Sequence, residues 1–250
     1  MIELINLTKR FSENVLAVNN LNLKIEEGKI FGFLGPNGAG KTTTINMITG
    51  LYKPTSGKII VDNMDMEKES EKIKKIIGFV PDEPLIFEKI TGISYLNFIC
   101  NVFEVDPEEK EKRGDWLIKT FKLEKVINNP IFTYSHGMKQ KLSLIAALIH
   151  EPKIWILDEP IVGLDPESAF ILKNLMKKHV SNGNIVFFST HVMEIAEKIC
   201  DELAIIDKGS IVFQGTIKNL RKLRGEKSLE QLFLEVTNSE SEKIDFSYLD

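Results

Sequence analysis

The 250-residue sequence predicts an α/β fold: a mainly parallel sheet with helices on its faces, an antiparallel β region at the N-terminus, and an inserted helical subdomain. Three observations carry this. Short apolar runs alternate with amphipathic helical stretches between residues 135 and 225. A glycine-rich loop, Gly35 to Thr43, stands between an apolar run and a helix. Residues 85–130 switch to mixed three- and four-residue spacing of apolar positions, with charged residues in the gaps.

The elements follow in order. Ile2, Leu4 and Ile5 open an N-terminal strand, and Leu21, Leu23 and Ile25 alternate with Asn22, Lys24 and Glu26 at the period of a half-buried strand. Glu27 and Gly28 form a turn before Ile30 to Leu34, a run suited to a buried strand. A helix begins near Lys41, and Lys58 to Val61 reads as a strand. In the insert, Phe98, Val102, Trp116, Leu117, Phe121 and Leu123 are expected to form a small core of their own. Helices over Lys139–His150, Glu167–Val180 and Met193–Cys200 then precede strands over Ile154–Leu157, Ile185–Ser189 and Leu203–Ile206. Lys208 and Gly209 turn the chain into Ile211 to Phe213. An amphipathic patch, Leu229 to Val236, suits a short helix or strand, followed by a loose tail from Ser239.

Composition narrows the function classes. The hydrophobic share of 43% and charged share of 27% are those of an ordinary globular chain. A net charge of -4 argues against general nucleic-acid binding. Cys100 and Cys200 lack metal-ligand spacing, so they are expected as free thiols in a reducing cytoplasm. The longest apolar run, Leu142 to Ile149, falls far short of the ~18 residues that span a bilayer. The N-terminus lacks the shape of a signal peptide.

The loop reads Gly35, Pro36, Asn37, Gly38, Ala39, Gly40, Lys41, Thr42, Thr43, which matches the P-loop spacing. Glycines permit backbone angles that a Cβ forbids and bring N–H groups close to phosphate oxygens. The following helix points its positive end at the same place. In such loops the lysine, here Lys41, reaches the β- and γ-phosphates, and the hydroxyl after it, Thr42, ligates Mg²⁺. Ile154 to Leu157 then run into Asp158 and Glu159. An Asp at a strand end opposite a phosphate loop holds Mg²⁺, and the next carboxylate, Glu159, is placed to take a proton from an attacking water. His191 sits just after the Ile185–Ser189 run, a place from which a γ-phosphate can be reached, although a lone histidine is more often structural.

These features occur in one order: phosphate loop, helical insert, a Ser-x-Gly segment, an apolar strand ending in Asp-Glu, and a strand ending in His. That order resembles the nucleotide-binding subunits of ABC transporters, over residues 1 to about 220. The resemblance implies a P-loop ATPase core over 1–225 with a helical insert over about 85–150, and a partly ordered tail over 226–250. It implies ATP and Mg²⁺ as ligands. Tyr134, Ser135, His136, Gly137, Met138, Lys139 and Gln140 look like the family's signature segment, whose Ser135 and Gly137 would cap the γ-phosphate held by a partner subunit. Gly163, Leu164 and Asp165 look like the loop linking two active sites, His191 like the switch histidine, and Phe11 like the aromatic that stacks on adenine.

Two positions depart from the family pattern. Asp82 replaces the usual glutamine before the insert, keeping a Mg²⁺ ligand but adding negative charge. His136 replaces the signature's first glycine. The resemblance further implies a head-to-tail pair of ATPase subunits at the cytoplasmic face of the cell membrane. A transmembrane permease on another chain would dock near Asp82 and the insert, where Phe87, Ile90 and Ile93 are candidates to line the groove. The Tyr-Ser-x-Gly-Met-Lys-Gln and Pro-Asp-Glu-Pro segments look most like bacterial export-type subunits acting on drugs, peptides, lipids or antibiotics. A GTPase is disfavoured because no Asn-Lys-x-Asp guanine reader is present, and a P-loop kinase would not need the signature segment. The remaining alternatives are an import subunit and a soluble ATPase of translation or DNA repair. The single copy without a heptad run weighs against the soluble ATPase.

Overall fold

The computed structural model describes residues 1–84, 87–225 and 227–237. In chain order it contains β1 (Ile2–Ser12), β2 (Val15–Ile25), β3 (Ile30–Leu34), α1 (Lys41–Ile48), β4 (Ser56–Val61), β5 (Met64–Asp65), α2 (Ser70–Lys75) and β6 (Ile77–Val80). Then come α3 (Gly92–Val102), α4 (Pro107–Thr120), a short 3-10 turn (Ile131–Thr133), α5 (His136–Leu148), β7 (Ile154–Asp158) and α6 (Pro166–Ser181). β8 (Ile185–Thr190), α7 (Met193–Ile199), β9 (Glu202–Asp207), β10 (Ser210–Gly215), α8 (Ile217–Arg224) and α9 (Leu229–Val236) complete it.

Two sheets form. One, in the order β2-β1-β4-β5, is antiparallel throughout. The other, in the order β10-β9-β3-β8-β7-β6, is parallel except for the edge hairpin β9–β10. Its central strands are buried on both faces, which is why they read as unbroken apolar runs. Alternation within them still sorts the faces. Ile154, Ile156, Ile185 and Phe187 face α1 and the antiparallel sheet, whereas Trp155, Leu157, Val186 and Phe188 face α5, α6 and the insert.

The insert departs from expectation in one respect. Leu117, Phe121 and Leu123 are buried, but Phe98, Val102 and Trp116 are about half exposed. Among the described residues the insert has no separate core: its buried residues share one cluster with Val80, Trp155 and Leu157 of the sheet and Leu142 and Ile145 of α5. The helical spacing places a second apolar stripe on α3 that faces outward. α5 starts at His136, three residues ahead of the predicted Lys139, because the Ser135 hydroxyl accepts from the Met138 N–H at 3.3 Å and caps the helix there. β6, α2 and α8 were not anticipated; each is eight residues or fewer, so periodicity had little to work on. Of the two forms suited to residues 229–236, the chain adopts the helix, closed by a reciprocal Ser228–Gln231 capping box. The expectation of a loose tail from Ser239 lies outside the described residues.

Candidate functional site

β3, β8, β7 and β6 lie side by side and run parallel, with Leu34 opposite Thr190, Ser189 opposite Asp158, and Leu157 opposite Val80. Gly35, His191, Glu159 and Asp82 each follow one of these strand ends within two residues. Segments scattered along the sequence therefore converge at one carboxyl edge, where open α/β sheets bind ligands.

The loop after β3 is built for an anion. Gly40 sits at φ 108°, and a Cβ there would stand 2.5 Å from the Ala17 carbonyl oxygen, so only glycine makes this turn. α3, α4, α5 and α6 begin on Thr91, Asp106, Ser135 and Asp165, whose side chains accept from the first-turn N–H groups. α1 has neither a side-chain cap nor an acidic residue in its first turn. Its leading N–H groups and its positive end are thus offered to a ligand. Lys41 is 7% exposed, and its Nζ donates to the Gly35 and Pro36 carbonyls at 2.8 and 3.3 Å. The ammonium is held under the loop it serves.

Facing the loop is a cleft of about 190 Å³ lined by Asn37, Gly38, Gly40, Lys41, Thr42, Thr43, Asp82, Asp158 and Glu159, together with Ala17. Lys41 is the sole cation among these described lining residues, against three carboxylates. Asp158 is 1% exposed and accepts a hydrogen bond from the Ser189 hydroxyl. Burial raises its carboxyl above the ordinary value; hydrogen bonds with Ser189 and Thr42 pull it down, and the charges of Asp82 and Glu159 add to the rise. Asp82 is raised as well, first by desolvation, then by Glu159 and Glu83, with His191 and His136 opposing. Excess negative charge beside a loop built for an anion fits a divalent cation that would bridge the two. Among the described residues no three acidic, His or Cys side chains converge closely enough to hold a metal alone. That suits Mg²⁺, which takes one or two carboxylates together with substrate phosphates.

Glu159 adopts φ 48°, an unusual backbone for a side chain with a Cβ. Its N–H donates to Ser189 Oγ at 3.1 Å, which helps hold that turn. Its Oε1 lies 3.0 Å from His191 Nδ1 and 3.8 Å from Lys41 Nζ, and the His191 N–H donates to its Oε2 at 3.4 Å. Lys41, Thr42, Asp82, Asp158, Glu159 and His191 are thereby gathered at one place.

Other expected site residues stand apart from the cleft. Phe11, 50% exposed near the tip of the β1–β2 hairpin, meets Tyr52 edge-on at 5.5 Å, with Lys9 Nζ 5.1 Å from its ring centroid. Ser135 and Gly137 lie at the exposed start of α5. The His136 ring fills the space beside Gly163, where a Cβ would come within 2.5 Å of it. Asp165 caps α6 and pairs with Lys141 at 2.7 Å; this lysine, with the Ser168 N–H and hydroxyl, holds its carboxyl well below the usual range. Ile90 and Ile93 pack into the insert. The groove of about 380 Å³ beside α3 is lined instead by Phe79, Pro81, Tyr95, Ile99, Phe103 and His150, among others. Phe87 packs edge-on against Phe98 next to it.

Sequence reasoning assigned no role to Ser189 or Tyr52. Ser189 bridges Asp158 and the Glu159 backbone, and its only local signal is a polar residue at the end of an apolar strand. Tyr52 meets Phe11 across 41 residues of sequence, which no local pattern records.

Comparison with known proteins places this geometry. The family described as ABC transporter matches residues 18–162. The linearmycin resistance ATP-binding protein LnrL of Bacillus subtilis (strain 168) is 35% identical over 93% of this chain and 74% of its own length. A solved ATP-binding subunit of an ABC transporter superposes with a TM-score of 0.90 at 29% identity, covering 95% of this chain and 99% of the other. The ATP-binding cassette MJ0796, in a dimeric post-hydrolysis state bound to ADP and Pi, superposes at 0.78 with 27% identity, covering 87% and 99%.

Proposed function

Since the chain belongs to the ABC transporter family, we propose that it is the ATPase subunit of an exporter, working as a head-to-tail pair beneath a separate transmembrane partner. That it is an ATP-binding and ATP-hydrolysing cassette using Mg²⁺ follows from the family. Residue roles, direction of transport and the assembly are the proposal.

The observation that carries it is the position of Glu159, at the lip of the phosphate cleft and within 3.0 Å of His191 Nδ1 and 3.8 Å of Lys41 Nζ. In the proposed mechanism the loop amides and Lys41 bind the β- and γ-phosphates. Thr42 and Asp158, with Asp82 beside them, hold Mg²⁺, which neutralises charge on the phosphate oxygens. Glu159 takes the proton of the attacking water, and His191 orients Glu159 and meets the γ-phosphate. Ser135 and Gly137 sit outside their own subunit's cleft, at the Ser135-capped start of α5, where they would close over a partner's nucleotide. Phe11 supports the adenine.

Among the described residues no helix is long and apolar enough to cross a membrane; the transmembrane partner on another chain is part of the proposal. The groove beside α3, whose lining residue Tyr95 meets Phe87 edge-on, is the proposed seat of that partner, which would place the subunit peripherally at the cytoplasmic face. Export is supported by the signature and Pro-Asp-Glu-Pro segments and by a relative named for resistance.

Glu159→Gln tests the reading. It keeps shape but not basicity, so Mg-ATP affinity should survive while turnover falls by roughly 10²- to 10⁴-fold. ATP should then trap a pair visible by size-exclusion chromatography. Parental turnover in the variant removes Glu159 as base.

A further inference from the structure

The packing of α9 reaches both sides of the cleft. Leu229, Leu232 and Phe233 are buried on its inner face and share one apolar cluster with Leu34, Met193 and Ala196. Leu34 is the residue before Gly35, and Met193 opens α7 two residues after His191. α7 has only seven residues and no side-chain cap, too short to hold its shape without tertiary support. One side of it, Ile195 and Ile199, packs on the core of the central sheet; the other, Met193 and Ala196, packs on α9. Arg221 of α8 adds a polar tie, its guanidinium bonding Glu197 of α7 and donating to the Lys227 carbonyl just before α9.

The His191 side chain is 53% exposed, so packing around the imidazole does little to fix it. The backbone on either side does that work: β8 before it, α7 after it. We infer that α9 positions His191: Leu232 and Phe233 seat α7, and α7 sets where the imidazole stands against Glu159. Leu232 and Phe233 are positioning residues, since neither touches the cleft. The inference rests on the roles given above to Glu159 and His191. It assigns to residues beyond 225 a part in turnover rather than in nucleotide binding. The same cluster includes Leu34 of β3, but that strand is already locked between β8 and β9. Loosening α9 therefore disturbs the histidine side of the cleft before the phosphate loop.

The test is a double-mutant cycle on the full chain, pairing Leu232→Ala with His191→Ala. Leu232→Ala is expected to lower kcat by about tenfold and leave the Mg-ATP Kd within about twofold. In the His191→Ala background the same substitution should change kcat by less than about twofold. Amide exchange over residues 192–199 should quicken while β3 and β7 keep their protection. Leu232→Val, a smaller trim, gives the same pattern in weaker form if the alanine variant does not fold. Equal kcat losses in both backgrounds, a Kd that worsens in step with kcat, or unchanged kcat each overturn the inference. Full turnover in His191→Ala alone would instead remove the histidine's role, and the inference with it.

Discussion

Ser189→Ala is the sharpest test of how the site is held. The Ser189 hydroxyl is fully buried and does two things: it donates to Asp158 and accepts the Glu159 N–H at 3.1 Å. Truncation to alanine deletes both. A hydrogen bond to a charged group contributes about 1.5–3 kcal/mol and a neutral one about 0.5–1.5 kcal/mol. Burial leaves no open surface from which water replaces them. The variant should lose on the order of 2–4 kcal/mol of stability, read from urea unfolding in chelator. A second consequence is chemical. Asp158 is already raised by burial, and Ser189 is the largest influence holding it down. Its loss raises the carboxyl further, and protons then compete more strongly with Mg²⁺. The Mg²⁺ concentration for half-maximal turnover should rise, and by more at pH 6 than at pH 8. A parental urea midpoint together with an unchanged Mg²⁺ titration at both pH values would refute the reasoning.

Asp82→Gln removes a carboxylate from the cleft, and turnover should then need more Mg²⁺; an unchanged titration removes Asp82 as a ligand. Asp158→Asn probes the burial account by stability alone. Because the folded value of Asp158 is raised, the fold binds that proton more tightly than the unfolded chain, and stability falls as pH rises through the folded value. In chelator at pH 8 the neutral variant should be at least as stable as the parent while losing Mg²⁺-dependent turnover; a less stable variant contradicts this. His150 and His179 are both lowered by burial from 6.5 to about 4. Their contribution is present above pH 6.5 and is lost as pH falls toward 4. By pH 5 the chain should have lost about 2 kcal/mol for each histidine relative to pH 7, from about 1.4 kcal/mol per pH unit. His150→Phe, which can keep the stack on Phe103 at 3.7 Å, should flatten that pH dependence; an undiminished slope would exonerate His150.

Much of the fold was legible because its determinants are local. Ile30 to Leu34, Ile154 to Leu157 and Ile185 to Ser189 are unbroken apolar runs because both faces of their sheet are covered. Lys208 and Gly209, at φ 46° and 79°, form the left-handed pair that a tight hairpin needs. Elsewhere local pattern misled. Phe98, Val102 and Trp116 have the spacing of a core yet face outward, since helical periodicity counts apolar stripes without saying which neighbour each one meets. β6 is four residues long, and Ile77 to Val80 acquire their identity as a strand from pairing with Ile154 to Leu157.

The candidate site divides in the same way. The sequence alone determined that residues 35–43 form a glycine-rich loop leading into a helix, because glycine positions and a following helix are written within ten residues. It also determined that Asp158 and Glu159 end a buried strand. Only the tertiary structure decided that Asp82, Glu159 and His191 stand around that loop, that Ser189 bridges the two carboxylate positions, and that α9 packs behind the histidine. Those facts depend on the strand order β10-β9-β3-β8-β7-β6. That order is set by hydrogen bonds and apolar contacts between segments far apart in the chain, on which short-range spacing carries no information.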